Sequence, residues 1–160
     1  MKSQKILVVI PNRCTGCVRC EIHCSFFHTK TIDPTQRRLF VIRAEPDIDT
    51  PVICTQCGLC MAVCPVPGAM ARNRKTGAIE VTEKCTGCGQ CIPVCPYGVV
   101  SIHKVSNKAI KCDLCKGDPM CAKGCPFNVI EYADQERANF VKRLITAASV
   151  GRTVYRGPQS

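Results

Sequence analysis

Sixteen cysteines stand in this 160-residue chain, and they fall into four groups of four. The first is "CTGCVRCEIHC", with Cys14, Cys17, Cys20 and Cys24. The second is "CTQCGLCMAVCP", with Cys54, Cys57, Cys60 and Cys64, and the third is "CTGCGQCIPVCP", with Cys85, Cys88, Cys91 and Cys95. All three have the spacing C-x2-C-x2-C-x3-C, which suits [4Fe–4S] ligation. Three thiolates at two-residue gaps let one loop wrap three corners of a cube, with backbone N–H groups turned toward sulfur. The fourth cysteine, three residues on, starts a helical turn that carries it away from that cube toward a neighbouring one. Pro65 and Pro96 directly after it stop the backbone from turning back.

The fourth group, "CDLCKGDPMCAKGCP", departs from the pattern. Cys112 and Cys115 keep the two-residue gap and Cys121 and Cys125 the three-residue gap, with Pro126 behind. Between Cys115 and Cys121 stand five residues, Lys116 to Met120, so only the middle gap has grown. The segment reads as a fourth copy with a loop in it. Zinc ribbons also use C-x2-C, but in pairs, and a third cysteine at the next two-residue gap has no role in a tetrahedral site. None of the sixteen positions is substituted, so the expectation is four [4Fe–4S] clusters rather than a three-iron variant. A zinc-dependent binding or scaffold protein is the rival from another class, and the absence of brown colour near 400 nm would mark it.

Cysteine is a tenth of the chain, and without it the apolar share falls from 46% to about 36%, with no Trp and only three Tyr and five Phe. That is thin for an ordinary core, so cluster ligation is expected to supply what side-chain burial does not. The start, "MKSQKILVVIP", has only five apolar residues before Pro11, too few for a secretory signal. No run approaches a membrane span. The expectation is a cytoplasmic chain, where thiols stay reduced and metal replaces disulfides as the reading of the cysteines. The formal charge is +10, which invites nucleic-acid binding. Four cores of about +2 each held by sixteen thiolates would bring the total down to roughly +2. With so few aromatics to stack on bases, nucleic acid is not expected as a partner.

The elements that must position these ligands are short. "KILVVI" and "LFVIRA" read as strands before groups one and two. "AMARNRKTGAIEVT" reads as a hairpin turning at Lys75-Thr76-Gly77, and "VVSIHKVSNKAIKC" repeats the idea, turning near Ser106-Asn107. After the last group, Asp134 is a candidate N-cap for "QERANFVKRLITAASVGRTVY". Phe140, Leu144, Ala147, Ala148, Gly151 and Val154 recur there at helical spacing, among Lys142, Arg143, Arg152 and Arg156.

Groups two and three with their hairpin resemble a complete bacterial two-cluster ferredoxin over residues 52–105. Residues 5–130 as a whole resemble the four-cluster, ferredoxin-like electron-transfer subunits of multi-subunit oxidoreductases. Two features carry this: a first group ending Cys24-Ser25 without Pro, and a fourth opening "KCDLC" with a stretched middle. The compact form looks most like the small iron–sulfur subunit of tungsten aldehyde oxidoreductase complexes. The fold so implied is α+β, a small, loop-rich, cluster-stapled duplicated ferredoxin with a C-terminal helix. Residues 1–130 would form the four-cluster domain, with 52–105 as the contiguous unit and 1–51 with 106–130 as the second, followed by a helical docking tail at 131–160.

The same resemblance implies which cysteines share a cluster. Cys14, Cys17, Cys20 and Cys125 would hold one, and Cys112, Cys115, Cys121 and Cys24 its neighbour. Cys54, Cys57, Cys60 and Cys95 would hold a third, and Cys85, Cys88, Cys91 and Cys64 the last. Spacing is equally compatible with groups one and two exchanging ligands, and three and four. The implied role is a relay of single electrons between a larger catalytic subunit, of tungsten or molybdenum pterin type, and an acceptor that is flavin- or NAD-linked or ferredoxin-like. Self-association of such subunits is compatible with two exposed ends, and a free polyferredoxin shuttling between enzymes is the alternative. No nucleophile–base pair or phosphate loop is present, so catalysis is expected elsewhere. Lys116–Met120 reads either as a surface turn or as a docking loop. His23 and His28, beside Cys24, read as ordinary exposed or capping histidines.

Overall fold

The computed structural model describes residues 4–44 and 48–154. Eight short strands pair in twos: β1 (Ile6–Val9), β2 (Phe40–Ala44), β3 (Ile48–Val52), β4 (Met70–Arg72), β5 (Ile79–Val81), β6 (Ser101–Ile102), β7 (Ala109–Ile110) and β8 (Ile130–Ala133). Four helices accompany them: α1 (Arg19–Thr29), α2 (Leu59–Ala62), α3 (Met120–Lys123) and α4 (Gln135–Val154). The architecture is α+β and loop-rich, with a C-terminal helix.

Each ribbon is antiparallel and only two strands wide: β1 with β8, β2 with β3, β4 with β5, and β6 with β7. Three are local. The β4–β5 turn closes through Asn73, whose side-chain oxygen accepts from the Lys75 and Thr76 amides while Gly77 N–H donates to Asn73 O. The β6–β7 turn repeats this with Asn107 N–H donating to His103 O. Both hairpins lie where turn chemistry places them. The fourth ribbon is long-range: Ile6 faces Ala133 and Val9 faces Ile130. It brings the segment before the first cysteine group beside the segment after the last. Strands β3 and β8 were not anticipated: β8 is a short stretch whose partner lies at the other end of the chain, and β3, although beside its partner β2, carries Pro51, which reads against a strand.

Buried apolar residues gather in three small clusters, two of which count cysteines among their members. Leu7, Leu39, Ile53, Leu114, Val129 and Ile130 surround Cys20, Cys24 and Cys121, while Met70, Ile79, Val100 and Ala109 surround Cys60 and Cys91. The third joins Val8 of β1 to Ala138 and Val141 of α4. Asp134 caps α4, accepting from the Arg137 amide at 2.9 Å. The face of α4 that packs on the fold is not the stripe picked out by helical spacing. Ala138 and Val141 are buried, whereas Phe140 and Leu144 are about half exposed. A small residue lets the helix axis come close to β1, and this turns the larger apolar side chains outward. Tyr155 and Arg156 of the expected helix lie outside the described residues.

Candidate metal centre

The four cysteine groups share one local backbone. In each, the residues on either side of the second cysteine have positive φ: Gly16 and Val18 around Cys17, Gln56 and Gly58 around Cys57, Gly87 and Gly89 around Cys88, Leu114 and Lys116 around Cys115. Left-handed residues in a tight loop turn successive N–H groups to one side and form the concavities that bind anions and iron–sulfur groups. The fourth group carries this signature and extends it, with positive φ running unbroken from Leu114 through Gly117. It is therefore the same device, and the longer gap lies after the second cysteine.

Gly87 shows how tight the device is. Its φ is +74°, and a Cβ there would run into the Asn107 backbone carbonyl, whereas at Gly89 (φ +78°) the nearest atom is Ile92 Cδ1 at 3.9 Å. Gly89→Ala should therefore cost only left-handed strain, about 1 kcal/mol. Gly87→Ala adds overpacking against backbone and should cost about 3 kcal/mol. Thermal melts of the two iron-loaded variants should rank in that order; equal melting points would refute the clash.

Helix α1 carries both Cys20 and Cys24, one turn and about 6 Å apart along the axis. They face different cavities. One is lined by Cys14, Cys17, Cys20 and Cys125. Another is lined by five cysteines, Cys24, Cys54, Cys112, Cys115 and Cys121. A third is lined by Cys64, Cys85, Cys88 and Cys91. Each encloses about 310 Å³ of space open in part to solvent. Cys54, Cys57, Cys60 and Cys95 are also near one another: Cys54 is raised by burial and by the charges of Cys95 and Cys57, and Cys60 by burial and by Cys54 and Cys57.

Burial is the main influence on these thiols. It pushes Cys20 and Cys112 up to about 12 and Cys24 to about 11, and raises Cys121 well above the ordinary thiol range. Neighbouring cysteines add to this and reveal which cavities adjoin. Cys121 responds to Cys112, Cys24, Cys115 and also Cys20. Cys112 responds to Cys54, and Cys91 to Cys60. Thiols held this high stay protonated unless a metal takes the proton's place.

The side chains around the second cavity differ from expectation. His28 is not an ordinary exposed histidine: Nε2 lies 3.5 Å from Asp113 Oδ1 and 3.9 Å from Cys115 Sγ. Burial first, then the Arg38 charge, lower its pKa to about 4, so the ring is neutral at pH 7. Arg38 in turn pairs with Asp113 at 2.8 Å. The His23 ring fills the space where a Gly124 side chain would be, beside Cys125. The inserted residues have two faces. Lys116 and Asp118 are exposed, while Pro119 is buried and lines the Cys112 cavity, so the insertion covers that site as well as facing solvent.

One polar cluster escaped the sequence reading. Lys111 is buried at 2% exposure, and its ammonium donates to Ile79 O at 2.7 Å, Cys112 O at 2.8 Å and Gln56 Oε1 at 3.1 Å. Gln56 also accepts from the Ile79 amide at 3.0 Å and donates through Nε2 to Cys112 O at 2.9 Å. No carboxylate pairs with Lys111 among the described residues. An isolated buried cation is costly. The anionic partners within reach are the thiolates on either side of it, which is what iron–sulfur ligation would provide. Together with four-thiol cavities and inward N–H loops, this makes the residues fit [4Fe–4S] clusters. The available signal was Gln56 itself, a glutamine at the left-handed position that Gly16 and Gly87 fill in groups one and three.

This fold and these centres define an iron–sulfur electron-transfer protein of ferredoxin type, and comparison with known proteins places it further. The 4Fe-4S dicluster domain family matches residues 46–98. The chain is 38% identical over 122 residues to the polyferredoxin-like subunit of aliphatic sulfonate oxidoreductase from Pyrococcus furiosus, covering 74% of this chain and 70% of that one. It is 28% identical to the electron transport protein HydN of Escherichia coli K12, covering 89% and 97%. The BamBC active-site complex of benzoyl coenzyme A reductase contains a chain of similar fold, with TM-score 0.50 at 21% identity over 98% of this chain and all of that one. The chain belongs to the polyferredoxin-like electron-transfer subunits of oxidoreductase complexes. No helix among the described residues is long and apolar enough to cross a membrane.

Proposed function

We propose that the chain holds four [4Fe–4S] clusters in a row and relays single electrons between a larger catalytic subunit and an acceptor. The ligand sets are Cys14, Cys17, Cys20 and Cys125; Cys112, Cys115, Cys121 and Cys24; Cys54, Cys57, Cys60 and Cys95; and Cys85, Cys88, Cys91 and Cys64. Two four-cysteine cavities, a third that holds Cys24, Cys112, Cys115 and Cys121 together with Cys54, and the mutual influence of Cys54, Cys57 and Cys95 support these sets. The observation that carries the row is how neighbouring sets meet: Cys20 and Cys121 share one apolar cluster, Cys112 and Cys54 line one cavity, and Cys60 and Cys91 share another cluster. Bound clusters supply one-electron redox chemistry. The protein's part is to fix their order and to enclose the Cys112 site, which has no exposed cysteine, while Cys17, Cys57 and Cys88 bring the other three to the surface.

Cys24→Ser tests the sets. It should disturb the signal of the Cys112 site and leave the Cys54 site intact, as seen by electron paramagnetic resonance (EPR) of the reduced protein. Disturbance of the Cys54 site instead would support exchange between groups one and two.

The partner we infer is a tungsten or molybdenum oxidoreductase of aldehyde type. The compact form of the chain supports this, as does the outward apolar side of α4, where Phe140, Leu144 and Ile145 are exposed beyond what the chain itself covers. Native mass spectrometry of the tagged chain, isolated anaerobically with metal analysis, decides it. Travel with a larger subunit carrying tungsten or molybdenum supports a built-in relay. A lone chain with about sixteen irons would make it a mobile carrier.

A further inference from the structure

Lys111 stands at the junction of the two central sites. It directly precedes Cys112, and it is tied through Gln56 to the loop between Cys54 and Cys57. Its three N–H groups meet three acceptors, the two carbonyls and the Gln56 oxygen, which is the geometry of an ammonium with nothing left to donate. Its four-carbon stem is enclosed, so water does not screen the charge. Among the described residues it is the one buried cation, and no buried counterpart stands beside either outer site. An added electron makes a thiolate-ligated site more negative, and a fixed positive charge nearby favours that form.

We propose that Lys111 raises the reduction potentials of the two central sites above those of the outer two, so that electrons entering at either end collect in the middle of the row. This rests on the four-site relay proposed above. Its charge stands on both sides of the junction: the ammonium donates to Cys112 O and to Gln56 Oε1, and Gln56 lies in the loop between Cys54 and Cys57. Gln56 is a positioning residue, since it accepts from the ammonium and donates to Cys112 O, holding Lys111 between the two loops. The role is electrostatic, and it differs from the structural task of tying Ile79, Gln56 and Cys112 together.

The test is an anaerobic redox titration of the iron-loaded chain followed by EPR, comparing wild type with Lys111→Met and Gln56→Glu. Lys111→Met removes the charge and keeps most of the stem. Gln56→Glu keeps the lysine and places a carboxylate against it. In both, two of the four midpoints should fall by at least a tenfold change in oxidised-to-reduced ratio, which is 59 mV for one electron. The other two should move less. Unshifted midpoints in a fully loaded Lys111→Met, or equal shifts of all four, would overturn the proposal. If Lys111→Met fails to load iron, Gln56→Glu decides alone, and unmoved midpoints there overturn it. A wild-type chain that shows fewer than four redox-active sites instead refutes the relay reading, and the proposal falls with it.

Discussion

Removing the iron anaerobically should unfold this chain, abolishing its cooperative thermal transition and the dispersion of its NMR spectrum. The argument is one of quantity. Among the described residues every sheet is two strands wide and the longest strands have five residues, and an isolated two-stranded ribbon is marginal in water. Of 24 buried apolar residues among those described, seven are cysteines, and two of the three apolar clusters are built around them. A structural zinc in a zinc-finger peptide is worth about 10–16 kcal/mol at neutral pH, which sets the scale for a ligated site, while a whole protein's net stability is about 5–15 kcal/mol. Losing several such sites therefore exceeds anything the remaining contacts supply. Circular dichroism alone would mislead, because the 20-residue α4 keeps some helix as a free segment. A chelated chain that still melts cooperatively with a dispersed spectrum would show that the core stands without its metal.

The same balance explains what could be read from the sequence. Ligation demands fixed local spacings, so the four groups, the stretched fourth one and the prolines behind three of them were plain in the residues. The β4–β5 and β6–β7 hairpins were legible because Asn73, Gly77 and Asn107 make their turns locally. The pairing of Ile6 with Ala133 was not, since nothing in either short strand names a partner more than a hundred residues away. Lys111 and Gln56 were missed for the same reason: their bonds join residues 56, 79 and 112 across three segments. For α4 the spacing gave the helix and its cap, but the choice of inner face went to Ala138 and Val141, which permit closer approach than Phe140 or Leu144. His28 was misjudged because its environment is made by Arg38 and Asp113, the latter 85 residues further along the chain.

The last prediction separates a row from a branched arrangement, and its expected effect is complete loss of throughput. Cys57 belongs to the proposed third site and is exposed, so Cys57→Ala removes a ligand with little damage to packing. Full loss of that cluster would take the iron count from about sixteen to about twelve per chain. Both outer sites, at Cys14 and at Cys85, keep all their own ligands and should still be reduced by a small chemical reductant. Electrons supplied at one end by a partner subunit should nevertheless fail to appear at the other, because the lost site stands between the Cys112 cavity, which Cys54 also lines, and Cys91, which packs with Cys60. Cys88→Ala provides the contrast. It damages an outer site, and the other three should still fill from the opposite end. If the Cys57 variant passes electrons at the wild-type rate with that site demonstrably empty, the centres are wired in parallel, and the order inferred from neighbouring cysteines is wrong.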